Sequence, residues 1–128
     1  MDYQPINIFL ANDHSLMREG AKTLIHQNSG MQVIGEAGSF TEIYERLDGS
    51  ITDILITDDQ MPGGDFPENL AKIKEKWPKL KVIVMSMFPP ETEHLKVVKH
   101  LLDGYLHTLS DEAVSDFKIV IKGLDGTN

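Results

Sequence analysis

A chain of 128 residues is the size of one domain built around a single core. Hydrophobic residues make up 41% and charged residues 25%, the proportions of a soluble globular fold. The 20 acidic side chains outweigh the 12 basic ones, and the formal charge of -8 repels phosphate backbones, which argues against nucleic-acid binding by this domain alone. The absence of Cys rules out disulfides and thiolate metal sites and fits a cytoplasmic setting. No apolar run is long enough to span a bilayer, and the first, Ile6–Ala11, is too short for a signal peptide and lacks a basic segment before it.

Short apolar runs alternate with segments of helical period, the pattern of repeated βα units on a parallel sheet. Ile6–Ala11 is the first predicted strand. Met17, Ala21, Leu24 and Ile25 share one helical face after it. Met31–Ala37 alternates with polar residues and reads as an edge strand. Ser39 with Glu42 has capping-box spacing and opens a short helix through Leu47. Residues 53–57 form an apolar third strand that ends abruptly at Asp58, and Met61-Pro62-Gly63 turns the chain sharply away. Asp65 and Glu68 repeat the cap spacing, with Pro67 in the first turn, where its missing N–H costs little. Leu70, Ile73 and Trp77 line this third helix, which stops at Pro78.

Residues 80–86 form the fourth strand, and Pro89-Pro90 breaks the chain after it. Leu95, Val98 and Leu101 or Leu102 mark a fourth helix. Gly104–His107 is a short fifth strand. Ser110 opens a last helix with Val114, Phe117, Ile121 and Leu124 on one face, and a polar tail follows from about residue 124. Right-handed crossovers turn five such units into one doubly wound sheet with helices on both faces.

In open α/β sheets chemistry sits beyond the C-terminal strand ends. There the chain places Asn12-Asp13-His14, Asp58, Ser86 and His107-Thr108. Carboxylates crowded at one edge repel each other, and an oxygen-loving divalent cation relieves that repulsion. An Asp beside such a cation can attack a phosphoryl group. Asp59 reads as a solvated neighbour of Asp58. His14 reads as a surface residue at a helix start, with a second reading as a stand-in cation. His26, His94 and His100 read as surface residues, and Met85 and Met87 as core or near-core fillers.

The order and spacing of several motifs resemble the receiver domain of two-component response regulators over the whole chain, 1–128, nearest to members that carry a LuxR/NarL-type helix-turn-helix. The motifs are Ala11-Asn12-Asp13-His14 with Arg18-Glu19-Gly20, Val33-Ile34-Gly35-Glu36-Ala37, Asp58-x-x-Met61-Pro62-Gly63, Val82-Ile83-Val84-Met85-Ser86-Met87 and Asp103-Gly104-Tyr105-Leu106. The resemblance implies a flavodoxin-like (βα)5 fold. It implies that Asp58 is the phosphoacceptor and that Mg²⁺ is held by Asp13, Asp58 and the backbone carbonyl of Gln60, with Asn12 as an outer-shell contact. Ser86 would be the switch hydroxyl and Tyr105 the aromatic that follows it. A sensor histidine kinase or small phosphodonor would be the partner, a homodimer is a possible assembly, no membrane is involved, and DNA would be contacted only through an effector domain absent from this chain.

Two departures from the pattern bear on chemistry. Asn12 replaces the first acid of the usual pair, and Thr108 falls where the family has a Lys that bonds the phosphoryl group. Phe66 stands where Gly is usual, and His100-Leu101-Leu102 where a small turn is usual. The departures motivate an alternative, an interaction module that phosphorylation no longer drives. A flavin protein would need a neutral phosphate loop after the first strand, and a haloacid-dehalogenase-like phosphatase would need an acid at Gln60, so an enzyme on a similar fold ranks behind both.

Overall fold

The computed structural model describes residues 4–28, 30–108 and 111–124, apart from the side chains at 121 and 124. The expected cap at Ser110, the outer part of the last helical face (Ile121 and Leu124) and the tail beyond 124 lie outside the described residues. The strands are β1 (Ile6–Ala11), β2 (Met31–Ala37), β3 (Ile54–Asp58), β4 (Lys81–Ser86) and β5 (Gly104–His107). The helices are α1 (Ser15–His26), α2 (Phe40–Arg46), α3 (Phe66–Lys76), α4 (Glu93–Lys96) and α5 (Ala113–Leu124). All strand pairs are parallel, in the order β2-β1-β3-β4-β5.

The period of two along each strand divides the core between the two faces of the sheet. On one face Phe9, Leu55, Val82 and Val84 pack against Phe40 and Ile43 of α2, Leu70 and Ile73 of α3 and Leu95 of α4. On the other, Ile8, Leu10, Ile54, Ile56 and Met85 meet Ala21 and Ile25 of α1 and Phe117 of α5. β3 is buried on both faces, which explains why its sequence is continuously apolar rather than alternating. Among the described residues no helix is long and apolar enough to cross a membrane.

Caps fix two helix starts. Ser39 Oγ accepts from the Glu42 N–H at 3.1 Å, while Glu42 Oε1 accepts from the Gly38 N–H at 2.7 Å, one residue earlier than in the reciprocal box. Asp65 Oδ2 accepts from the Glu68 N–H at 2.8 Å, with Pro67 in the first turn. The turn after β3 needs glycine: φ is +106° at Gly63 and +112° at Gly64. The Pro62 carbonyl in that turn accepts from the Phe40 N–H at 2.9 Å, which ties it to α2. Phe66, the bulky departure, is buried beside Phe40 with ring centroids 6.3 Å apart.

The fourth helix is shorter than its sequence suggests. It ends at Lys96, and a separate 3-10 turn covers Lys99–Leu101. The β-branched pair Val97-Val98 sits at the break, where stiff χ1 angles disfavour the helix. Leu95 and Val98 are buried as expected, but Met87 is 55% exposed and is not a core filler. It follows the last residue of β4, where the chain has left the sheet.

β2 carries one extra residue relative to β1: Val33 pairs with Ile8 and Gly35 with Phe9, leaving Ile34 unmatched. The bulge brings Gly35 against the Phe9 ring, and a Cβ on Gly35 would lie 2.7 Å from two ring carbons. Phe9 is itself buried and cannot yield. Gly35→Ala is expected to destabilise the fold by about 1–3 kcal/mol through overpacking, read from the urea midpoint.

Candidate functional site

The strand order reverses direction between β1 and β3, and the crevice outside the C-terminal ends of these two strands is where such sheets bind ligands. A cavity of about 170 Å³ opens there, lined by Asn12, His14, Met17, Asp58, Asp59, Gln60, Met85, Met87 and Thr108. A larger concavity of about 670 Å³ lies at the opposite edge of the sheet. There Asp53 Oδ2 accepts from the Asn7 N–H and Asn7 Nδ2 donates to the Ile51 carbonyl, while the buried Thr52 hydroxyl has no partner among the described residues. It lies at the N-terminal strand ends, and in open α/β sheets chemistry sits at the C-terminal ends, which points to the smaller cavity.

Asp58 ends β3 at the floor of this cavity. Burial, and then the adjoining Asp59 carboxyl, push its carboxyl up to about 7, against a weaker opposing pull from the Gln60 N–H that donates to Asp58 Oδ1 at 3.2 Å. Such a group is half ionised near neutral pH. Among the described residues, His14 is the one basic side chain in the lining.

Asn12 is buried in the lining, and its Oδ1 accepts from the His14 N–H at 2.8 Å, an Asx turn that starts α1. Asp13 stands outside the lining, exposed, with Oδ1 3.5 Å from His14 Nε2. Arg18 braces this loop: its guanidinium donates to the Asn12 carbonyl and to Glu36 Oε1 at 3.2 Å. The hydrogen bond from Lys22 holds the Glu36 carboxyl below the usual carboxylate range, and Arg18 adds to that pull. Thr108 Oγ1 donates to the Ser86 carbonyl at 3.2 Å, so the position just past β5 holds a neutral hydroxyl bound to backbone.

The sequence matches the family model of the response regulator receiver domain over residues 8–113. The chain belongs to the response regulator receiver family. The nitrate/nitrite response regulator NarL of Escherichia coli K12 is 32% identical over 103 residues, which is 80% of this chain and 48% of that protein. The oxygen regulatory protein NreC of Staphylococcus epidermidis is 29% identical over 102 residues, 79% of this chain and 47% of that protein. The chain thus spans about half the length of the curated relatives it matches. The isolated receiver domain of RcsB from Salmonella enterica serovar Typhimurium, solved with the phosphomimetic BeF3-, superposes with a TM-score of 0.87 at 26% identity, covering 98% of this chain and 91% of that one. These relatives agree with the LuxR/NarL-type resemblance and with the flavodoxin-like fold.

Within this receiver, two residues behave differently from their sequence reading. Asp59 is not solvated: it is 2% exposed. The β3–β4 register explains why. Asp58 pairs with Met85, so the next step sets Asp59 beside Ser86 on the opposite face of the sheet. Ser86 Oγ donates to Asp59 Oδ2 at 2.7 Å rather than facing Asp58. His94 is not a free surface residue either, since its Nε2 lies 2.5 Å from the same Asp59 oxygen. The hydroxyl of Tyr105 donates to the Phe88 carbonyl outside the cavity. Burial raises the Tyr105 phenol above its usual range, and the charges of Asp59 and Glu91 raise it further. His107 Nε2 lies 3.0 Å from the Met87 carbonyl, away from the cavity as alternation requires.

The raised Asp58 carboxyl has a consequence for stability. Between the ordinary value of 3.8 and about 7, the folded protein keeps a proton that the unfolded chain has released. The stabilisation is therefore complete below the unfolded value and is lost as pH rises through 7. In protein freed of divalent cations, Asp58→Asn is expected to gain stability relative to wild type from pH 4 to pH 7 and to hold that gain above it. Urea titrations across the range test this, and a difference that does not vary with pH would contradict it.

Proposed function

We propose that Asp58 accepts a phosphoryl group from a sensor histidine kinase or a small phosphodonor, and that this charge change at the strand tips alters the partner contacts of the domain. The observation that carries the reading is the raised, half-buried Asp58 carboxyl at the switch point of the sheet, facing a cavity beside a second carboxylate. In the transfer, an Asp58 Oδ atom forms the new bond to phosphorus in line with the bond that breaks to the donor's nitrogen or oxygen.

The donor set fits Mg²⁺. Among the described residues no three His, Asp or Glu side chains cluster as a protein cage, and Mg²⁺ characteristically takes one or two carboxylates and leaves the remaining positions to water and phosphate oxygens. Asp58 and the Gln60 carbonyl would hold it together with Asp13, which stands outside the cavity lining and would have to turn inward, with Asn12 reaching it through water. When bound, the ion neutralises charge on the transferring phosphoryl oxygens. Asp58 is presented by the rigid end of β3, and Gln60 steadies one of its oxygens through a backbone N–H. Arg18 holds the Asn12-Asp13 loop in register with the cavity.

A second reading is supported by Thr108. With its hydroxyl on the Ser86 carbonyl, no cation from β5 meets a phosphoryl group, and the domain then serves as an interaction module whose state depends weakly on phosphorylation.

With Mg²⁺ and acetyl phosphate, intact-mass measurement is expected to show one added phosphoryl group, absent from Asp58→Asn. Thr108→Lys is expected to raise the labelled-to-unlabelled ratio about tenfold or more by adding a charge-assisted bond of about 1.5–3 kcal/mol. Equal labelling of wild type and Asp58→Asn would refute the phosphoacceptor reading, and no effect of Thr108→Lys would remove the basis of the second.

A further inference from the structure

Ser86 has no free proton to offer an acceptor at Asp58. Its Oγ donates to Asp59 Oδ2 at 2.7 Å and accepts from the Phe88 N–H at 2.9 Å. The same Asp59 oxygen meets His94 Nε2 at 2.5 Å, so one buried atom joins the tips of β3 and β4 to α4. The His94 ring is held over the carboxylate by Phe88, edge to face with centroids 5.2 Å apart. The next residue, Leu95, is anchored in the core at 2% exposure, which fixes the turn that carries His94.

We propose that Asp59 and His94 are positioning residues that hold both the Ser86 hydroxyl and α4 in the resting arrangement, and that Ser86 reaches a phosphoryl group on Asp58 only when this three-way contact opens. The release step rests on the phosphoacceptor reading of Asp58; the latch itself does not. A hydroxyl carries one proton. To donate it to a phosphoryl oxygen, Ser86 must withdraw it from Asp59. The other Asp59 oxygen, Oδ1, already lacks a hydrogen-bond partner among the described residues. Withdrawal leaves a buried carboxylate with His94 alone, and the desolvation penalty of that carboxylate opposes the switch. A phosphoryl group adds further negative charge beside it, and Thr108 contributes no cation to offset that charge. The contact therefore gives the resting state an advantage that a phosphoryl group must overcome, and it passes the change at Asp58 directly to α4.

The test is NMR on the full chain in two arms. The first uses protein without metal or phosphate analogue and compares wild type, His94→Leu, His94→Gln and Asp59→Asn. The Leu95, Lys96 and Val97 amides, which donate to the Thr92 and Glu93 carbonyls, report α4. His94→Leu is expected to speed their hydrogen exchange about tenfold, the factor for one ordinary hydrogen bond, and to shift the Ser86 Cβ resonance. Asp59→Asn should act in the same direction. His94→Gln keeps a donor and should retain wild-type protection, and the Leu55 and Ile56 amides of β3 should be unchanged in all variants. Wild-type exchange at α4 and an unshifted Ser86 in both His94→Leu and Asp59→Asn would overturn the latch.

The second arm adds beryllofluoride with Mg²⁺. His94→Leu is expected to show larger shift changes than wild type at Ser86 and Leu95, and equal responses would overturn the release step. If no chain responds, Thr108→Lys included, the phosphoacceptor reading fails and takes the release step with it, whatever the first arm shows.

Discussion

Two carboxyl groups, Asp58 and Asp59, sit side by side at the tip of one buried strand. Electrostatics makes that arrangement costly unless something compensates it, and each acid is compensated differently. Asp59 faces the α4 side of the sheet and is met by the Ser86 hydroxyl and the His94 ring. Asp58 faces the cavity, where burial and then the Asp59 carboxyl outweigh the pull of the Gln60 N–H and push its carboxyl up to about 7. The acid that faces outward is the one that a cation and a phosphoryl group could reach, whereas the inward-facing Asp59 relies on Ser86 and His94 for one oxygen and has no partner among the described residues for the other.

The sheet makes this possible. Because β3 lies between β1 and β4 and is covered on both faces, its tip is rigid and its approach is dry. Because the chain reverses strand order at β1 and β3, the loop bearing Asn12 stands directly over the Asp58 crevice. The Met61-Pro62-Gly63-Gly64 turn carries the chain off the end of the strand, with positive φ at Gly63 and Gly64, and none of its residues lines the crevice.

Much of this was legible in the sequence. All five strands fall within a residue of their expected spans, β1, β3 and β4 because a run of five or six mostly apolar residues has few other uses in an alternating chain, β2 because its residues alternate and β5 because it follows the same βα rhythm. The caps at Ser39 and Asp65 were legible because capping chemistry is local. What escaped were features set by contacts between elements. Asp59 is buried because of the register between β3 and β4, and His94 meets it because α4 is only one turn long and delivers its second residue there. An acid next to a strand end looks the same in sequence whether it turns to water or to a neighbouring strand. Likewise, adjacency alone does not say that Asn12 lines the cavity while Asp13 stands exposed beside His14. A strand-by-strand register of β3 on β4 was the one available signal for Asp59.

The most direct measurement is a carboxyl carbon-13 NMR titration of Asp58 in protein stripped of divalent cations. The buried pair is expected to place its midpoint at about 7, and Asp59→Asn should bring it down. A midpoint near the ordinary 3.8, unchanged by Asp59→Asn, would contradict the account, because Asp58 would then be neither desolvated nor in contact with a second acid.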